Sequence, residues 1–141
     1  CSQGCDDRMR NDEALARFIV LSGYSDIHKK FNIADMHRLY LPPIALGQYR
    51  LWEADTKPLG FMTWAFFSKE VEEGYLSGER QITPDDWNSG HIPYVIDFVG
   101  PFGSVGKMVR EARQHLRNEY GPKMFFRGWR KYRGKTCLVS T

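Results

Sequence analysis

The chain has 141 residues, 42% hydrophobic and 14% aromatic, with a net charge of +3. That length predicts one domain over residues 1–141, and the composition supplies a core, which excludes global disorder. No apolar run approaches the roughly 18 residues of a membrane span, no secretory leader is legible, and Cys1, Cys5 and Cys137 make neither a disulfide framework nor a four-ligand zinc site.

A reducing, cytoplasmic setting is therefore expected, and residues 1–10 are expected to form a flexible start. The charge is uneven. Residues 1–100 carry ten Lys/Arg against fifteen Asp/Glu, and residues 101–141 carry ten against two. A basic C-terminal third predicts an acidic partner surface.

In chain order, Asn11–Ser22 has apolar residues at helical spacing, with Asn11 as cap and Gly23 as stop. A loop follows over Tyr24–His28. Ile33–Leu41 predicts a second short helix, ended by Pro42-Pro43. Gly47–Glu53 alternates as a strand, Ala54–Gly60 is a turn, and Phe61–Phe67 is a strand apolar on both faces. Lys69–Leu76 reads as an acidic helix, and Ser77–Gly90 as a polar loop.

His91–Gly106 reads as a buried strand, a Pro/Gly loop and a helix start. Plain alternation places Pro93, Val95, Asp97 and Val99 on one side of this strand, and Tyr94, Ile96 and Phe98 on the other. Asp97 is out of place there, because a buried carboxylate is costly unless paired. Ser104–Tyr120 is the clearest helix, with Arg110, Arg113 and Arg117 as a basic stripe. Lys123–Trp129 and Lys135–Ser140 predict two more strands around a basic turn, Arg130–Gly134. The expected class is α/β (α+β), a central mixed sheet flanked by helices.

Several spaced motifs then carry a resemblance. They are Ser25-x-x-His28, Gln48-Tyr49, Pro58-x-Gly60, Trp64-Ala65, Ser68, Tyr75-Leu76, Asp86-Trp87-x-Ser89-Gly90, Asp97-x-x-x-Pro101-Phe102-Gly103, Phe126-Arg127 and Gly134-Lys135. In this order they resemble the toxin-activating lysine acyltransferases, partners of RTX haemolysins. The chain departs from that pattern in lacking a Pro between Ser25 and His28, and in carrying Gly100 where Ala is usual.

The resemblance implies a fold like that of the GCN5-related N-acetyltransferases. It also implies fatty acyl transfer from acyl carrier protein to an internal lysine of a protoxin, and a possible homodimer. His28 and Asp97 fall on the family's essential histidine and aspartate, and Ser25 on its nearby serine.

A lysine ammonium, with a pKa of about 10.4, cannot attack a thioester until a base removes its proton. Histidine suits that task, and a carboxylate on its other ring nitrogen fixes the tautomer. His28 and Asp97 are thus expected to meet. His37, His91 and His115 are expected to be surface or packing residues.

Oxyanion donors are expected at Gly103–Gly106 or at a strand bulge. Gly100, Phe102, Gly103 and Gly106 are expected to take the donor's pantetheine arm, and Arg110, Arg113 and Arg117 its acidic carrier. No further cofactor and no metal are expected. An apolar groove lined by Trp64, Phe66, Phe67, Phe98 and Phe102 is expected for the acyl chain. Two other readings stand: an N-acetyltransferase using acetyl-CoA, and a nucleic-acid-binding module built on Phe125–Arg133.

Overall fold

The computed structural model describes residues 9–122, 126–132 and 135–140, with side chains described as far as residue 128. Its elements are α1 (Asn11–Ser22), a 3-10 turn (His28–Lys30), α2 (Ile33–Leu39), α3 (Leu41–Leu46), β1 (Tyr49–Ala54), β2 (Lys57–Phe67) and α4 (Lys69–Ser77). A second 3-10 turn (Pro84–Trp87), β3 (Ile92–Val99), α5 (Val105–Tyr120), β4 (Arg127–Tyr132) and β5 (Lys135–Ser140) complete them. The sheet order is β1-β2-β3-β4-β5. All neighbouring pairs are antiparallel except β3 and β4, which run parallel across the α5 crossover. This is the mixed α/β sheet that the order of elements predicts.

Local chemistry corrects several boundaries. Asn11 is the first helical residue rather than the cap, which is Arg10 and makes no side-chain cap bond. Pro42 and Pro43 do not end the helical region. They stand in the first turn of α3, where a missing N–H costs nothing. Gly47 belongs to the end of α3 rather than to a strand, at φ +71°. The β1–β2 turn is tighter than expected. Asp55 and Thr56 alone make it, both at positive φ, and Lys57–Gly60 already pair as strand. In the described residues the fourth strand covers Arg127–Tyr132, so Arg130–Tyr132 lie in strand rather than turn. Residues 123–125 and 133–134 lie outside the described residues, as do Cys1 and Cys5.

Each face of the sheet has its own cover. On one face Phe18 of α1, Tyr40 and Ile44 pack on Phe61 and Val99, while Val71, Ile82 and Trp87 pack on Ala65, Phe67 and Tyr94. On the other, Met108, Ala112 and Leu116 of α5 pack on Trp52, Met62 and Trp64.

A bulge decides which face receives Asp97. Thr63 pairs with Asp97, but Trp64 pairs with Val95, so Ile96 is an extra residue on β3. Val95 and Phe98 consequently face α5. Tyr94, Ile96, Asp97 and Val99 face the helices α1 to α4. Plain alternation, which groups Val95 with Asp97, is wrong here for that reason.

Candidate active site

The site starts with a local turn. Gly23 caps the C-terminus of α1 in a helical conformation, and Ser25 follows it closely. The Ser25 hydroxyl oxygen accepts the His28 backbone N–H at 3.3 Å and lies 2.6 Å from His28 Nδ1. His28 opens a 3-10 turn and is only 9% exposed. Its ring packs beside Phe31 and Phe61, at centroid distances of 5.0 and 6.4 Å.

The long-range partner arrives from β3. His28 Nε2 lies 2.7 Å from Asp97 Oδ1, across 69 residues of chain. Asp97 is held by the bulged register and by its own N–H, which donates to Thr63 Oγ1 at 3.2 Å. Its Oδ2 is buried and has no hydrogen-bond partner among the described residues. The three expected residues Ser25, His28 and Asp97 therefore form one chain of hydrogen bonds.

The arrangement specifies the protonation pattern. A carboxylate can only accept, so Nε2 carries the ring proton toward Asp97. Nδ1 then holds the lone pair, and the Ser25 hydroxyl donates to it. Among the described residues, His28 is the one side-chain hydrogen-bond donor to Asp97. An imidazolium formed by proton uptake at Nδ1 is paired at once. Tyr40 lies nearby, its hydroxyl bonded to Ser22 Oγ. Burial pushes the Tyr40 phenol far above its ordinary range, with the Asp97 charge adding to the effect. Tyr40 thus stays neutral.

A cavity of about 300 Å³ lies beside Asp97, lined also by Arg38, Leu39, Tyr75, Arg80, Ile82 and Ile96 among others. Arg38 is bonded to Asp35 and Arg80 to Asp86. The sequence reading missed this cavity, because its walls come from α2, α4, the 78–83 loop and β3, which no spacing connects.

The other expected residues are placed as follows. Gly100 and Gly103 sit in the β3–α5 loop, Gly103 at φ +92°, and Gly106 lies in the first turn of α5. Ser104 provides no side-chain cap to that helix. Phe102 is 53% exposed and stacks edge-on against Tyr24 at 4.9 Å. Arg110, Arg113 and Arg117 are exposed along α5.

The aromatic groove is corrected. Trp64 and Phe67 are fully buried on opposite faces of the sheet, and Phe66 packs on Tyr120 and Phe126. These are core residues, since alternation on a central strand covered on both faces buries them. Most of the basic-aromatic segment Phe125–Arg133 lies outside the described side chains.

The Asp86-Trp87-x-Ser89-Gly90 motif holds the structure together. Asp86 takes two bonds from Arg80, and the Trp87 indole N–H donates to Arg38 C=O. Gln48 donates to the Trp64 and Trp87 carbonyls. Gly90 runs so close to β2 that a Cβ would lie 2.4 Å from Phe67 C=O. Among the described residues no group of three His, Cys, Asp or Glu is placed to hold a metal ion, and no helix is long and apolar enough to cross a membrane.

A lysine-acyltransferase, RtxC, of Vibrio cholerae is 32% identical over 105 residues, covering 74% of this chain and 69% of its own. A leukotoxin-activating lysine-acyltransferase, LtxC, of Aggregatibacter actinomycetemcomitans is 32% identical over 130 residues, 92% of this chain and 74% of its own. A protein-lysine myristoyltransferase, HlyC, of Escherichia coli is 30% identical over 107 residues, 76% of this chain and 62% of its own. The model of the family described as HlyC, the RTX toxin acyltransferase family, matches residues 7–137. The chain belongs to the RTX toxin acyltransferase family, and it is an acyltransferase.

Proposed function

We propose that the chain transfers a fatty acyl group from acyl carrier protein to the ε-amine of an internal lysine of a protoxin, with His28 as general base and Asp97 as its partner. The observation that carries this reading is the continuous Ser25–His28–Asp97 chain, with contacts of 2.6 and 2.7 Å. The lysine ammonium first loses one proton to solvent; the lone pair of the neutral amine then forms a C–N bond to the thioester carbonyl carbon as a second N–H proton passes to His28 Nδ1, either directly or through the Ser25 hydroxyl. The C–S bond then breaks, and the departing sulfur takes the proton back from His28. Amide and thiol result, with no redox change and no metal required.

Oxyanion donors belong at the β3 bulge around Ile96 or at the uncapped start of α5. Three features support a donor arm entering here. The parallel pairing of β3 with β4 is registered at Tyr94 and Val95 and does not extend to the end of β3, so the strands part toward the Asp97 end. Gly100 and Gly103 keep the adjacent loop small, and Phe102 stands exposed beside it. Exposed Arg110, Arg113 and Arg117 suit an acidic carrier, and the parting strands favour a GCN5-related N-acetyltransferase-like fold.

The test is intact-mass analysis of a co-expressed protoxin. Wild type adds one fatty acyl mass per modified lysine, and His28→Ala adds none. A gain that survives His28→Ala refutes the base, and a gain supported by acetyl-CoA alone replaces the donor.

A further inference from the structure

Among the described residues, four arginines meet a carboxylate: the half-buried Arg17 meets Glu53 at 2.7 Å and Arg38 meets Asp35 at 3.2 Å, and the more exposed Arg80 meets Asp86 at 2.7 Å and Arg127 meets Glu72 at 2.9 Å. Arg50 on β1 has no carboxylate partner among the described residues. Its guanidinium lies over the Trp52 ring at 5.4 Å, and its Nη1 reaches only the neutral acceptor His115 Nδ1, at a long 3.5 Å. Its Nε is buried and has no partner among the described residues. A half-buried cation without a counter-charge is costly, so Arg50 favours an added anion.

The space beside it can hold one. A cavity of about 270 Å³ is lined by Met9, Tyr49, Arg50, Leu51, Glu53 and His115. We infer that this cavity is a binding site for an organic monocarboxylate, whose two oxygens take the terminal Nη groups of Arg50 while a short apolar stem lies against Met9, Tyr49 and Leu51.

Guanidinium and carboxylate match in bidentate geometry, and the two terminal Nη groups form such an edge. The volume exceeds what a bare inorganic oxyanion fills, and three of the six walls are apolar. Glu53 also lines the cavity. Its charge is engaged by Arg17, yet it repels a dianion more than a monoanion, which disfavours phosphate.

His115 reports on occupancy. Burial first, and then the neighbouring Arg50 charge, hold its pKa below the ordinary value, with Glu119 opposing. Glu111 on the same helix is engaged by the Trp52 indole N–H. An anion on Arg50 offsets the guanidinium charge and moves the His115 pKa upward. The site stands on the α5 side of the sheet and does not depend on the proposed acyl transfer.

The test is NMR titration of the whole chain with butyrate at constant ionic strength, following the arginine Nε–H signals and the His115 ring. The expected result is one saturable site at millimolar concentration, with a shifted Arg50 Nε–H and a raised His115 pKa. Arg50→Gln should weaken binding about ten- to hundredfold. Arg50→Lys keeps the charge and loses the fork, and should weaken it nearly as much, with unchanged dispersion of the remaining spectrum showing both variants folded. Absence of a saturable shift in wild type overturns the site. Equal affinity for butyrate and inorganic phosphate overturns the monocarboxylate assignment, and binding that survives both substitutions overturns the role of Arg50.

Discussion

Among the described residues, the two faces of the sheet each carry one buried side-chain polar atom without a partner, and the contrast separates a working group from a waiting one. On the α1 face the atom is Asp97 Oδ2, whose sister oxygen already holds His28 at 2.7 Å. On the α5 face it is Arg50 Nε, whose guanidinium has only a ring face and a distant imidazole. The carboxylate lacks a second donor but not its main partner, and its charge is directed at the imidazole. The cation has no counter-charge among the described residues. One site is complete without an added ion, whereas the other calls for one.

The largest effects should come from dismantling the complete site. His28→Ala and Asp97→Asn should each lower acyl transfer about 10²- to 10⁴-fold. The double variant should be little worse than the worse single one, because the residues act as a unit. Single-turnover transfer to protoxin, read by mass, measures both; additive losses would break the pair apart.

Deleting Ile96 is a subtler cut. Removing the bulged residue leaves Val95 opposite Trp64 and Asp97 opposite Thr63, so Asp97 keeps its face. The bulged amide is lost. Transfer should fall about 10²- to 10³-fold if that amide serves the oxyanion, while the His28 ring signal still reports its bond to Asp97. Unchanged transfer would locate the oxyanion donors at the start of α5.

On the other face, Arg50→Met should raise stability by about 1 kcal/mol in urea titration, since it removes a buried donor with no acceptor. Gln48→Leu is the opposite case. It strips two bonds from the buried carbonyls of Trp64 and Trp87 and should cost about 2 kcal/mol. If Arg50→Met destabilises instead, its contact with Trp52 outweighs the missing acceptor.

The smallest effect concerns pH. The pKa of His115 is lowered in the folded chain, so the unfolded chain takes up its proton first as pH falls. The stability it contributes is full above its ordinary value and is lost as pH drops below that toward the folded value. His115→Gln should flatten the dependence in that window, measured as melting temperature against pH. Saturating butyrate should flatten it as well.

Much of this was written in local sequence. Helix α1 follows from its apolar spacing, α5 from the stripe ending at Leu116 and Tyr120, and β2 from seven apolar-rich residues. Ser25 and His28 lie three residues apart, within reach of one turn, so their contact was readable in principle. The motif order named the partner at Asp97.

Tertiary structure decided the rest. Period-two alternation cannot register a single inserted residue, so the face of Asp97 depended on how β3 pairs with Thr63 and Trp64. The motif around Asp86 and Trp87 holds the fold through bonds to Arg80, Arg38 and Gln48, and none of these is visible from spacing. Arg50 and His115 lie 65 residues apart and carry no motif. Periodicity along a chain records which way a side chain leans, whereas a cavity and an unpaired charge exist only once separate segments are packed together.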